Sequence, residues 1–361
     1  MLLVGYFAQT KMSVPLHHFD TLFVEHSFRS FFVGFSFFCI MNFTIQRRTE
    51  QNLSSPEWDD FVRSSLNGTM FHLRSFLNYH PQSRFIDHSL FFQKKGAIQA
   101  IMPAVEWMID KDKTLFSHRG ASFGGIVYRD ISLDEAIGWT QALKRYARQE
   151  GFSKIIMTVP PMPYIQTLTN YLDFALVKEG FRYQKRELTA MVRLLGDDIF
   201  SLFKPTSRTA ARKAQKAGVV VQESRDIDAY YEILSHNLMM RHGVKPTHTR
   251  EELEFLINAF PHDIVLHAAY CEGRMIAGVV NFIVNQRTVL AFYISDNKDF
   301  QEYRALNVLF YEIFKWCRAR GVEWYDFGTF TLNMEPNFGL AHFKESFGAH
   351  GIFRDTLEIL L

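Results

Sequence analysis

The sequence predicts an α/β protein of the mixed-sheet, α+β kind, built from two tandem copies of one unit. Three observations carry this. Apolar stretches of strand length come in pairs around short charged-plus-Gly turns, Lys94-Lys95-Gly96 and Glu272-Gly273-Arg274. Each pair is followed by a further strand, a long amphipathic helix ending at Gly, and an apolar strand directly after that Gly. The order then recurs in the second half of the chain, with Gly151-Phe152-Ser153-Lys154-Ile155 matching Gly321-Val322-Glu323-Trp324-Tyr325.

Taken in order, the signals start at Ser55-Pro56-Glu57, a Ser cap with Pro at the first helical position and an acid in the first turn. That helix is expected to reach 67–68. A hairpin covers 85–92 and 97–105, and a Gly-punctuated strand covers 120–127. Ser132-Leu133-Asp134-Glu135 opens a helix to Gly151 with a capping box. Strand 153–159, helix 167–180 and strand 181–194 complete the first unit. In the second, helices are predicted at 227–242 and 249–260, then hairpin 264–270 and 275–284 and strand 288–295. Helix 303–320 carries Leu306, Leu309, Phe310, Ile313, Phe314 and Cys317 at helical period. Strand 322–327, helix 342–347 and strand 352–360 close the chain. An antiparallel meander feeding a β-α-β unit fits this order. A doubly wound sheet would alternate strand and helix from the start. The boundary falls near 196–206, giving an extension over 1–42, a first domain over 43–198 and a second over 199–361.

Composition is that of a globular protein: 361 residues, 47% hydrophobic, 22% charged. With 40 Lys and Arg against 38 Asp and Glu, the net charge of +2 creates no global demand for nucleic acid or membrane. Three cysteines, Cys39, Cys271 and Cys317, lack the number and spacing of a disulfide framework or a structural zinc site, and a reduced, cytoplasmic setting is expected. The fourteen His form no H-x-E or H-E-x-x-H arrangement, so no metal is expected. Residues 30–46 are Phe-rich and uncharged. They are too short and too broken for a confident spanning helix, and they lack a signal-peptide layout. Three readings stand: a start at Met41, a weak membrane anchor, or an ordinary tail.

The strongest local features lie late in the chain. Tyr325-Asp326-Phe327-Gly328 ends an apolar strand, and His342-Phe343-Lys344-Glu345-Ser346-Phe347-Gly348 follows. A basic helix opens the second unit, Ser207 to Val221, with Arg208, Arg212 and Lys216 on one face and Lys204 and Lys213 beside it. A diphosphate or a tRNA backbone suits that stripe, as does a helix N-terminus; a solvated charged face is the plain alternative. With Tyr303 to Asn307 opening the long helix, and with Gly120-Ala121-Ser122-Phe123-Gly124-Gly125, the layout from Phe43 onward resembles the Fem family of tandem-GNAT aminoacyltransferases.

The resemblance implies two GNAT domains and transfer of an aminoacyl or acyl group to an amine of a cell-envelope precursor, a peptidoglycan peptide or an amino sugar. It also implies a Lys beside the reacting ester, which falls on Lys344, with Phe343 shaping the site. No bound cofactor is expected; the donor is aminoacyl-tRNA or acyl-CoA. The expected partners are a small-molecule or lipid-linked precursor, tRNA as a donor carrier and a peripheral membrane contact, without DNA. The long helical arm of bridge-forming members is missing, since the helices after Ile227 are too short for it.

Acyl transfer to an amine needs alignment and stabilisation of an oxyanion, without an enzyme nucleophile. That suits a chain with no G-x-S-x-G elbow and no evident Ser-His-Asp set. Asp296, after a strand and before the long helix, is a candidate base through water, and Asp326 a second; turn or cap roles are the alternative for both. Arg208, Arg212, Lys213, Tyr293, Asn307 and Ser122 are the candidate substrate-binding residues. The acetyl-CoA loop pattern Q/R-x-x-G-x-G/A is missing, since each near-match fails at its last position (Ile98, Ser153, Asp198, Val220, Glu323). This favours aminoacyl-tRNA. An acyl-CoA-dependent N-acyltransferase acting on a small-molecule or polysaccharide amine, and a non-catalytic binding scaffold, are the rival readings.

Overall fold

The structure, a computed structural model, describes residues 43–81, 83–242 and 245–361. The readings of residues 1–42, Cys39 among them, lie outside the described residues.

The first strand is β1 (Thr44–Arg47), which starts at the end of the Phe-rich stretch. Phe43 is buried there, so the fold takes in the end of that stretch. Helices α1 (Ser55–Arg63) and α2 (Arg74–Leu77) precede β2 (Ile86–Asp87), β3 (Leu90–Lys94) and β4 (Ala97–Met102). The α1 cap is Ser54, whose backbone N–H donates to Glu57, one residue earlier than the Pro position suggested.

The next elements correct the sequence reading. Residues 120–126 form a loop. The strands in this region are the hairpin β5 (Val105–Ile109) and β6 (Asp112–Ser117), with a two-residue β7 (Val127–Tyr128) after the loop. The glycines serve close approach. A Cβ on Gly124 would lie 2.2 Å from the Ser117 carbonyl, and the Gly124 N–H donates to the Thr158 carbonyl at 2.7 Å. The polar turn residues Asp110, Lys111 and Asp112 hide the hairpin from a hydrophobicity reading, and Asp110 takes a left-handed backbone (φ 55°) to make that turn.

Helix α3 (Leu133–Gln149) has the expected box: Glu135 N–H donates to Ser132 Oγ at 3.2 Å and Ser132 N–H donates to Glu135 at 3.0 Å. Strand β8 (Lys154–Thr158), α4 (Tyr171–Lys178) and β9 (Arg182–Arg193) follow. Helix α4 begins four residues later than predicted, because Pro160, Pro161 and Pro163 precede it in extended and 3-10 turns. The second half runs α5 (Pro205–Lys216), β10 (Val220–Ser224), α6 (Ile227–His242), α7 (Arg250–Ala259), β11 (Ile264–Cys271), β12 (Arg274–Ile283) and β13 (Thr288–Asp296). It ends with α8 (Ala305–Ala319), β14 (Trp324–Thr329), β15 (Thr331–Leu332), β16 (Glu335–Pro336), α9 (Phe338–Glu345) and β17 (His350–Leu360).

Among the described residues, eleven strands form one mixed sheet in the order β10-β11-β12-β13-β14-β9-β17-β8-β6-β5-β2. A second sheet, β1-β3-β4-β7, holds the first hairpin, which therefore leaves the main sheet instead of feeding it. Each half contributes one parallel pair, β6 with β8 and β13 with β14. The halves also exchange strands: β9 pairs with β14, and β17, the last strand, inserts between β8 and β9. Residues 41–361 accordingly form one compact unit.

Helices cover both faces. One core joins α5 and α8 to the sheet through Ala214, Leu309, Phe310, Phe314, Val279, Val289, Tyr325 and Phe327. The opposite face packs α6 and α7 through Tyr230, Leu234, Leu253 and Leu256 against Leu266, Val280 and Phe282. The period-2 alternation of β12 and β13 sends neighbouring side chains to opposite cores.

Candidate active site

The parallel pairing of β13 with β14 lasts three residues, Thr288–Trp324, Val289–Tyr325 and Leu290–Asp326. Beyond it the strands part, since β14 bulges between Asp326 and Thr329 and follows β9. A cleft of about 1030 Å³ is lined by the end of β13 (Ile294, Asp296), the start of α8 (Ala305, Leu306, Asn307), one edge of α5 and the α9 residues His342 and Phe343.

Each wall has a local cause. Helix α5 starts with Pro205 at its first position, and its small face, Ala211 and Ala214, is fully buried. The edge turned to the cleft is Thr206, Thr209, Ala210 and Lys213, at helical spacing. Its N-terminus is tied to the end of α9, as Lys204 N–H donates to the Ser346 carbonyl and Ser207 Oγ to Ser346 Oγ, both at 2.8 Å. The same junction needs Gly348. Its φ is +88°, and a Cβ there would stand 2.6 Å from the Leu202 carbonyl oxygen. Helix α8 opens after Arg304, itself in the left-handed region (φ 52°), and its first residues line the cleft with Arg304 and Lys213. Leu306, predicted as core on the helical period, packs against that core and also lines the cleft.

The structure brings Asp296, Asn307, Lys213 and Phe343 together on this cleft. It puts the other predicted residues elsewhere. Arg208 turns back to donate to the Phe203 carbonyl at 3.2 Å. Arg212 lies 5.0 Å above the Phe200 ring. The i, i+4 stripe therefore runs beside the cleft-facing edge and does not point into it. Tyr293 points into the α7 core, where its hydroxyl accepts from the His248 N–H at 3.1 Å. Ser122 lies in the 120–126 loop, and its carbonyl accepts from Arg354 at 2.8 Å.

Lys344 sits behind the cleft wall. It is 3% exposed, and its Nζ donates to the Gly328 and Thr329 carbonyls at 2.8 Å each. Burial pushes its ammonium down to about 8, opposed by the nearby Asp326 carboxylate. Asp326 is itself occupied, accepting from Tyr164 Oη at 2.8 Å, from the Gly328 N–H at 2.7 Å and from Thr189 Oγ1. Lys344 and Asp326 thus clamp the bulge that ends β14, and the residue before Lys344, Phe343, turns to the cleft. Sequence reasoning missed Arg304, Thr206 and Leu306. The left-handed turn that exposes Arg304 has no pattern in the sequence. No cluster of His, Cys, Asp and Glu able to hold a metal occurs among the described residues.

Residues 203–345 match the family described as acetyltransferase (GNAT) domain. Among solved structures the chain is similar to FemX, at 16% identity and TM-score 0.67, over 88% of this chain and 97% of that one. It is also similar to a tandem GNAT protein from the clavulanic acid biosynthesis pathway, at 12% identity and TM-score 0.51, over 88% and 98%. A third similarity is to L-PGS from Bacillus licheniformis, at 14% identity and TM-score 0.50, over 75% and 83%. No curated protein sequence matches. The expected tandem-GNAT fold, Fem-like in layout, is the one observed.

Proposed function

We propose that this chain moves an aminoacyl or acyl group onto an amine of a cell-envelope precursor, a peptidoglycan peptide or a surface-glycan amino sugar. The carrying observation is the cleft where β13 and β14 part. Lys213, Arg304 and the amide groups opening α8 suit the phosphates of a donor, while Asp296, Asn307 and Phe343 line the same space. The acceptor amine attacks the donor's ester or thioester carbonyl. A tetrahedral oxyanion forms, then collapses to the amide and releases the donor's hydroxyl or thiol. The amine proton leaves to water or, through water, to Asp296. Lys344 is a positioning residue here: it fixes the end of β14 and holds Phe343 on the cleft.

The missing Q/R-x-x-G-x-G/A loop and the likeness to FemX support aminoacyl-tRNA as donor. The acetyltransferase family match and the clavulanic-pathway tandem GNAT support the second reading, an acyl-CoA donor with a small-molecule or polysaccharide amine as acceptor. The domain cut at 198/199 belongs to the same proposal, with the second domain holding the donor. Cytoplasmic placement and peripheral membrane contact also belong to it; no helix among the described residues is long and apolar enough to cross a membrane.

The test is thermal shift and native mass spectrometry of the full chain with acetyl-CoA, longer acyl-CoAs, aminoacyl-tRNA and a nucleotide-linked muramyl peptide. Binding of charged tRNA or muramyl peptide without CoA binding is the expected result. A clear CoA shift alone moves the assignment to the acyl-CoA enzyme, and no binding of any of them leaves a non-catalytic scaffold.

A further inference from the structure

A second cleft, of about 890 Å³, shares no lining residue with the first. It lies between α4, the Pro-rich loop after β8, the start of β9 and the middle of β17. Its walls are largely apolar and its charges are unevenly matched. Arg186 donates to both carboxylate oxygens of Asp355, at 2.9 and 3.1 Å. The same guanidinium stacks on Tyr183 at 4.2 Å and on Phe353 at 3.9 Å. Lys178, at the rim, pairs with Glu179 at 3.6 Å. That leaves Asp173, in the first turn of α4, which has no hydrogen-bonding partner among the described residues. Burial and the like charge of Asp355 push its carboxyl up to about 6, against the pull of Arg186.

The surroundings of Asp173 also need an occupant. Helix α4 buries Leu172, Ala175 and Leu176, yet its outward residues are apolar as well, with Phe174 54% and Val177 45% exposed. A helix apolar on all sides is normally covered. Phe174, Val177, Tyr183 and Phe353 all line this cleft.

We propose that this cleft binds a ligand carrying a cationic amine on an apolar stem, with the ammonium against Asp173 and the stem along Phe174, Tyr183 and Phe353. An anion is disfavoured because both cationic side chains of the cleft are already paired. A metal ion is disfavoured because the wall offers one free carboxylate among apolar groups. Arg186 occupies the Tyr183 and Phe353 faces, so the aromatic ring offered to an ammonium beside Asp173 is that of Phe174. The site stands independently of the acyl-transfer reading.

The experiment is calorimetric titration of the full-length chain with n-hexylamine and, in parallel, 1-hexanol. Wild-type protein is expected to prefer the amine at least about tenfold, the scale of one charge-assisted contact. Asp173→Asn should abolish that preference while its melting temperature holds or rises, because a half-buried carboxylate with no hydrogen-bonding partner among the described residues is removed. Phe174→Ser should weaken both ligands, and Lys213→Ala, in the other cleft, neither. Equal binding of amine and alcohol by the wild type, binding of neither, or unchanged amine binding by Asp173→Asn overturns the proposal. The wild-type comparison needs no variant, so a poorly folding Asp173→Asn leaves the test intact. Failure here leaves the CoA and tRNA experiment untouched.

Discussion

Lys344 is prominent in its motif, and its side chain is buried behind the cleft wall. Its ammonium serves the two carbonyls at the end of β14. Lys344→Ala leaves both short of a donor, at about 1–3 kcal/mol for each buried unsatisfied group. Chemical denaturation should therefore show a loss of about 2–6 kcal/mol as well as lost turnover. The pH dependence has a defined sign. A Lys whose folded-state value is lowered to about 8 from 10.5 binds fewer protons folded than unfolded across that interval. The cost of burying its charge is full below pH 8 and fades as pH rises toward 10.5. Wild type should gain stability relative to Lys344→Met over that window; a flat difference would place the charge in water. Lys213, exposed on the edge of the cleft between β13 and α8, is the converse case. Lys213→Ala should melt like wild type, weaken phosphate-bearing donors about fivefold to tenfold and flatten their salt dependence, as loss of one charge contact predicts. Unchanged affinity and salt slope would remove it from the site.

Among the elements, β17 holds the halves together. Its eleven residues pair with β9 along one edge and β8 along the other. A chain ending at residue 349 loses the central strand and leaves both neighbours with an open edge. Such a chain should show no cooperative unfolding transition by circular dichroism; a two-state melt near that of the full chain would mean that each half folds alone. The duplication was legible because its signals are local: turn residues, capping boxes and helical period. The exchange of β9 and β17 was not legible, because strand pairing is set by contacts far apart in the chain. The β5–β6 hairpin went unread for a third reason. Its strands are partly exposed, β5 carries Glu106 and β6 opens on Asp112 and Lys113, so neither alternation nor an apolar run marks them.

For the whole molecule, buried neutral histidines set the response to acid. Burial lowers His72, His248 and His267 to about 4 and His118 to about 3. These groups bind fewer protons folded than unfolded between about pH 6.5 and 4, so stability must fall as pH drops through that interval. His72 is a clear instance. Its Nδ1 accepts from the Thr69 N–H at 3.0 Å, and its Nε2–H donates to the Gly124 carbonyl at 3.1 Å, a pairing that suits the neutral ring. The melting temperature should decline steeply below pH 6.5, and His72→Gln should flatten the decline. A pH-independent melt from 6.5 to 4 would mean these rings reach solvent.

By itself the sequence determined most of the element types, the tandem order and the GNAT-like layout. Those follow from interactions within a few residues, where helical period, caps and Gly turns leave their mark. Tertiary structure alone decided which side chains share a cleft. It set the angle of α5, which sends Lys213 to the site and Arg212 to Phe200. It paired Arg186 with Asp355 across two strands and gave Asp173 no hydrogen-bonding partner among the described residues. A side chain's neighbours depend on how whole elements pack, and that packing joins residues more than a hundred positions apart.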